Sequence, residues 1–262
     1  MRIGRARVRS KHSATWTLVS ELAYGSYALA VTVLVAALCW VVLVLVPIPQ
    51  RSRYAFVGAA GAVLCWAVGV PVTVTGTVPD EGPFLVVANH ASFVDGLVLI
   101  LAVPQSMRIL VGGVFERQPL IGSFLSHLGC IFTEGSSPAD AVAFTDRLAG
   151  VLRSGQVVGS FPEGGLESTS ELEGFHLGTF RAAAGADVPV VPMGISGSRA
   201  IVARGQRFPR RGAVHVAIGA PIAPTGTDWR SLVALRDAAQ RSVALLVGEA
   251  SLGSRSQLDS RS

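Results

Sequence analysis

Two long apolar runs come first along the chain, and after them short apolar runs alternate with longer helical patterns. Tyr24 to Val46 is 23 residues without a charge, enough for a helix of about 34 Å that can cross a bilayer's hydrocarbon core. Pro47 and Pro49 end it, since proline cannot continue the helical hydrogen-bond ladder. A second uncharged run, Tyr54 to Val70, has 17 residues and contains Gly58, Gly61 and Gly69; it suits a short span or a re-entrant helix. The pattern predicts a membrane-associated helical hairpin within residues 1–71.

From Val72 the pattern changes. Pro83 to Ala88 is an apolar run ending at polar Asn89, which predicts a buried strand, and Leu97 to Val103 continues as a buried helix that stops at Pro104. Ser92 with Asp95 three residues on makes a capping-box-like start for that helix. Further strands are predicted over Arg108–Val111, Gly129–Phe132, Val157–Phe161, Val188–Ile195 and Ala213–Ile218. Between them lie predicted helices over Leu120–Leu128, from an N-cap at Ser137 to about Ser154, over Phe175–Ala184, and from Asp228 to about Val247. Pro119 and Gly122 read as breaks around the start of the first of these. Pro189 and Pro192 inside one strand predict a sheet edge or a bulge. The alternation predicts an α/β fold, a mixed sheet with flanking helices over residues 72–250. The Ser/Arg/Gln-rich stretch 251–262 reads as a disordered tail.

Composition and charge sharpen the first segment. Half of the 262 residues are hydrophobic and the mean hydropathy is +0.51, too apolar for a wholly soluble chain. Residues 1–77 hold Arg2, Arg5, Arg7, Arg9, Lys11, Arg51 and Arg53 against Glu21 alone. The basic excess behind the pI of about 9.7 therefore sits beside the apolar runs, where it indicates positive-inside topology and contact with anionic lipid rather than nucleic acid. The first run is longer than a signal peptide's apolar region, and no small-residue cleavage site follows it. Cys39, Cys65 and Cys130 have no paired spacing, so neither a disulfide framework nor a zinc or other metal site is expected.

The candidate chemistry lies in three loops or strands. Asn89-His90-Ala91-Ser92-Phe93-Val94-Asp95-Gly96 places an imidazole just before a helix N-terminus with a carboxylate in the first turn, the arrangement of a general base and its orienting acid. The same residues also fit a polar loop histidine beside a capping aspartate. Phe161-Pro162-Glu163-Gly164-Gly165 delivers a carboxylate on a turn at a strand end, and taken alone is an ordinary turn. Val188-Pro189-Val190-Val191-Pro192-Met193-Gly194 taken alone is a core strand. Gly194-Ile195-Ser196-Gly197-Ser198 fails as a hydrolase elbow at its last position.

In this order the three motifs resemble the glycerol-phosphate and lysophosphatidic acid acyltransferase family. Asn89, His90, Ser92 and Asp95 match its Asn-His-x4-Asp loop, Phe161 to Gly164 its Phe-Pro-Glu-Gly turn, and Val188 to Pro192 its Val-Pro-x-x-Pro strand. Gly219-Ala220-Pro221-Ile222 is similar to its late turn. The resemblance covers about residues 72–225. It implies a membrane-bound O-acyltransferase that moves a fatty acyl chain from acyl-CoA or acyl carrier protein to a lipid hydroxyl, with 1-acyl-sn-glycerol-3-phosphate as the default acceptor. Neither a cofactor beyond the acyl co-substrate nor a covalent intermediate is implied. It assigns His90 and Asp95 to catalysis and Asn89, Ser92, Phe161, Pro162, Glu163, Gly164 and Pro192 to substrate binding. The cell inner membrane, with the catalytic domain on its cytoplasmic face, is the location expected.

Two departures bear on the acceptor. The Thr-Arg-Ser that usually follows Phe-Pro-Glu-Gly is replaced by Gly165-Leu166-Glu167-Ser168, and Glu134 stands in the region where the family has an arginine after its second-motif strand. Both missing arginines are the ones expected to hold the acceptor's phosphate. A phosphate-free lysolipid or lipid alcohol is therefore an alternative acceptor, unless Arg199, the first of five arginines at 199, 204, 207, 210 and 211, holds the phosphate instead. An ester or thioester hydrolase and a non-catalytic membrane protein of the same fold are the alternatives of another class.

Overall fold

The computed structural model describes residues 6–133, 138–165, 174–203, 206 and 208–259. Two helices, α1 (Ala6–Leu45) and α2 (Gln50–Ala67), precede an α/β unit. Its order is β1 (Val72–Thr75), β2 (Leu85–Ala88), α3 (Asp95–Ala102), β3 (Met107–Gly112), α4 (Pro119–Leu128), β4 (Ile131–Thr133), α5 (Pro138–Arg153), β5 (Val157–Ser160), α6 (Gly178–Gly185), β6 (Val190–Ser196), α7 (Ser198–Ile201), β7 (Val214–Ile218) and α8 (Trp229–Asp259).

The strands form one mixed sheet in the order β1-β7-β6-β2-β5-β3-β4, with β6 and β7 antiparallel and every other neighbouring pair parallel. β2 lies at its centre, and its four residues alternate between two apolar layers. Val86 and Ala88 join a layer with α2 and α3, whereas Leu85 and Val87 join one with α5, α6 and α8. Because β2, β3 and β5 are parallel, the loops that leave them open on the same edge of the sheet, where α/β folds carry their sites.

The proline-bearing strand is not at an edge. β6 lies between β7 and β2, but Pro192 does sit at a bulge, the other expectation. The ladder to β7 starts at Met193↔Ile218, the Pro192 carbonyl accepts Gly219 N at 2.9 Å, and pairing resumes at Val190↔Ile222 with the register shifted by one residue, so the missing N–H falls in the irregular step between them. Gly194 is where α8 crosses β6: a Cβ there would meet Val247 N at 2.6 Å. Gly122, expected to be a break, is inside α4, and a Cβ on it would come within 2.5 Å of Glu116 O. At the C-terminus, backbone expected to be a disordered tail from Ser251 is helical through Asp259. No proline interrupts it, and serine, arginine and glutamine all fit a helix. The N-cap assigned to Ser137 lies outside the described residues, as do Glu134, Leu166, Glu167, Ser168, Arg204 and Arg207.

α1 and α2 pack side by side against the α/β unit. Tyr24 and Tyr27 donate their hydroxyls to Val68 O at 2.9 Å and Ala67 O at 3.0 Å, so the two helices run antiparallel. Trp40 Nε1 donates to Leu120 O at 3.1 Å, Arg53 Nη1 to His127 O at 3.0 Å, and Gln50 bonds Leu128 O. Gly61, read as a sign of a re-entrant helix, is a packing position: a Cβ there would meet Leu97 Cδ1 of α3 at 2.5 Å. α1 carries the one apolar stretch among the described residues long enough to cross a membrane, Val19–Leu45 with mean hydropathy 2.9. Its outward face exposes Val33, Leu34, Leu38 and Leu45.

Candidate active site

The loop between β2 and α3 is folded around one carboxylate oxygen. Asp95 is wholly buried, and its Oδ2 accepts Ser92 N at 2.7 Å, Ala91 N at 2.8 Å and His90 Nδ1 at 3.1 Å. Only half of the expected capping box forms: the Ser92 hydroxyl donates to Val202 O at 2.6 Å and accepts Val94 N at 3.4 Å, while Asp95 N bonds the Ser92 carbonyl. The helix accordingly starts at Asp95 rather than Phe93. With Nδ1–H given to the carboxylate, the imidazole's Nε2 is the nitrogen a substrate can meet. His90 keeps 21% of its side chain exposed, so that face is reachable.

β5 supplies the rest of the histidine's seat. Phe161 stacks on the imidazole with centroids 4.1 Å apart and ring planes 17° apart. Two residues later, buried Glu163 accepts the His90 backbone N–H through Oε2 at 3.3 Å. The turn between them closes through Gly164, whose φ of +80° favours glycine. On the opposite side, Asn89 exchanges a reciprocal pair with β6: its Nδ2 donates to Ile195 O at 2.9 Å and its Oδ1 accepts Ile195 N at 2.8 Å.

A cleft of about 800 Å³ opens in front of His90, between the ends of β3 and β5 and the helices α3, α4 and α6. Its walls are mainly apolar, with Phe93, Val114, Phe115, Ile121, Leu125 and Phe144 among them, and Gly96 in the first turn of α3 also faces it. Of the residues the motifs single out, His90, Phe161, Pro162 and Gly164 line this cleft. Asn89, Ser92, Asp95 and Glu163 instead lie behind the loop, and Pro192 is buried in β6. Arg199 is on α7, next to the Ser92 side of the loop, and is not among the lining residues. Cys130 is no nucleophile here, since burial pushes its thiol up to about 12.

Sequence reasoning missed His176 and Thr179, which also line the cleft. The one signal available was a histidine at the front of an apolar helix pattern; its placement follows from a bond between His176 N and Pro162 O at 2.8 Å, which ties it to the Phe-Pro-Glu-Gly turn.

A family model described as Acyltransferase matches residues 71–196, which include both the His90 loop and β5. The chain is 31% identical over 151 residues to a chloroplastic 1-acyl-sn-glycerol-3-phosphate acyltransferase of Brassica napus, covering 57% of this chain and 43% of that protein. A 1-acyl-sn-glycerol-3-phosphate acyltransferase of Borreliella burgdorferi is 25% identical over 145 residues, covering 55% and 58%. These matches span about half the length of either relative. A lyso-ornithine lipid O-acyltransferase of Pseudomonas aeruginosa is 31% identical over 185 residues, covering 64% of this chain and 70% of that protein. The fold matches the crystal structure of the 1-acyl-sn-glycerophosphate acyltransferase of Thermotoga maritima with a TM-score of 0.71 at 20% identity, over 88% of this chain and 96% of that one. On the extent of these matches and on the geometry of the His90 loop, the chain belongs to the acyltransferase family that includes the 1-acyl-sn-glycerol-3-phosphate acyltransferases.

Proposed function

We propose that the protein transfers a fatty acyl chain from a thioester, acyl-CoA or acyl carrier protein, to the free hydroxyl of a lysolipid. The observation that carries this reading is the His90–Asp95 pair at the mouth of an apolar cleft large enough for an acyl chain. His90 Nε2 removes the hydroxyl proton as the oxygen attacks the thioester carbonyl; the C–O bond forms, the C–S bond breaks, and the thiolate leaves with the proton that His90 returns. Asp95 fixes the tautomer and stabilises the imidazolium, and the positive end of the α3 dipole lies toward the developing oxyanion. General-base help of this kind is worth about 10²–10⁴-fold.

The relatives' names supply the acceptor classes, lysophosphatidic acid and lyso-ornithine lipid. Attachment to a membrane is part of the proposal. α1 is pinned to the α/β unit along one face and exposes apolar side chains on the other, so it brings the cleft to the lipid surface and keeps the N-terminus and the catalytic unit on the same, cytoplasmic, side of the inner membrane. Purified protein in detergent, given acyl-CoA and a panel of lysolipids with products resolved by mass, tests the reading; acylated product from none of the panel overturns it.

A further inference from the structure

The cleft holds a second imidazole. Among its described lining residues, His90 and His176 are the two side chains able to carry positive charge. His90 is committed: one ring nitrogen meets Asp95 and its face lies on Phe161. His176 is exposed at the same wall, and its ring packs on the Phe-Pro-Glu-Gly turn, where a Cβ on Gly164 would meet Cδ2 and Nε2 at 3.0 Å. In a glycerol lysolipid the phosphorus is three bonds from the carbon that bears the reacting hydroxyl. His176 lines the same cleft as His90, so a hydroxyl held at His90 leaves its headgroup within this cleft.

We infer that His176 reads the acceptor's headgroup, its exposed ring donating an N–H to an anionic phosphate, so that a phosphate-bearing acceptor is preferred over a phosphate-free one. The inference rests on the acyl-transfer reading above. Among the described residues, His90 shares the cleft, Glu163 is turned away beneath the loop toward His90 N, and Arg236 of α8 reaches Phe175 O at 3.5 Å.

The test compares 1-oleoyl-lysophosphatidic acid with 1-oleoylglycerol, which share their acyl chain and the sn-2 hydroxyl and differ by the phosphate on the sn-3 oxygen. The quantity read is the ratio of kcat/KM for sn-2 acylation of the two acceptors in one preparation at one pH, which cancels losses from misfolding. His176→Ala should lower the ratio at least about fivefold, and His176→Lys should restore it. The same ratio in all three enzymes would overturn the role of His176 while leaving acyl transfer standing. Acylation of neither acceptor by the wild type, when no other lysolipid is acylated either, overturns acyl transfer and this inference with it.

Discussion

β2 has β5 on one side and β6 on the other, and the loop that leaves β2 is held differently by the two. Toward β6 and α7 the loop is held by polar bonds, with Asn89 exchanging two buried ones with Ile195 and Ser92 bonding Val202 O at the end of α7. Toward β5 the loop presents an aromatic stack and a half-buried imidazole to an open apolar cleft. The two flanking motifs are both short runs of apolar residues with proline and glycine, one just after β5 and the other running into β6. In the fold one side fixes the loop and the other lets substrate reach it. A residue's membership in a motif therefore does not tell whether its loss will be felt in turnover or in stability.

The largest expected effect is on the cleft side. His90→Ala should lower kcat by about 10²–10⁴-fold with a much smaller effect on the melting temperature, because Asp95 keeps its bonds from Ser92 N and Ala91 N when the ring is removed. Circular dichroism melts beside an acyl-transfer assay check both halves of that statement. On the buttress side Asn89→Ala should do the reverse in emphasis. It strands a buried N–H and a buried carbonyl of Ile195, a cost of about 2–4 kcal/mol, so the melting temperature should fall by several degrees. If Asn89→Ala instead lowers turnover at unchanged stability, the division between the two sides is wrong.

Phe161 sharpens the comparison, because it is on the cleft side but holds no proton. Phe161→Leu frees the His90 ring from its stack and should lower kcat by roughly tenfold, with Phe161→Tyr restoring most of it. A leucine variant with full activity would reduce the stack to packing. Arg199→Ala, on the buttress side and outside the cleft, should change KM for phosphate-bearing and phosphate-free acceptors alike and less than about twofold. A larger effect confined to the phosphate-bearing acceptor would return Arg199 to the site.

The smallest effect concerns α8, which backs β6. Asp228 accepts Arg230 N and Ser231 N and bonds the Ser231 hydroxyl, bonds that hold its carboxyl below the usual range. Its contribution is therefore present above the unfolded carboxylate pKa and is lost as pH falls through the lower folded one. The small melting-temperature deficit of Asp228→Ala at pH 7 should shrink toward pH 3.

Much of this architecture was legible in the residues. β2, β5 and β7 follow from short apolar runs bounded by polar or glycine residues, and His90 and Asp95 are paired as their spacing suggests. What the sequence obscured was tertiary in origin. β1 and α7 are four residues each, too short to show a period. Pro192 suggested an edge or a bulge, and local pattern alone does not choose between them; the one-residue register shift between Met193↔Ile218 and Val190↔Ile222 does. The glycines of α2 read as membrane signals until α3 is seen against Gly61. His176 carried no motif of its own, and only the bond to Pro162 O brings it to the cleft.

The central claim is that His90 activates a lipid hydroxyl, not water, against a thioester. It is tested most directly by following thiol release from acyl-CoA together with acylated lipid, with and without a lysolipid acceptor, in the wild type and in His90→Ala. The account predicts that thiol and acylated lipid appear in equal amounts, that both require the acceptor, and that both are lost in His90→Ala. Thiol release at the same rate without acceptor, or transfer undiminished in His90→Ala, would contradict it.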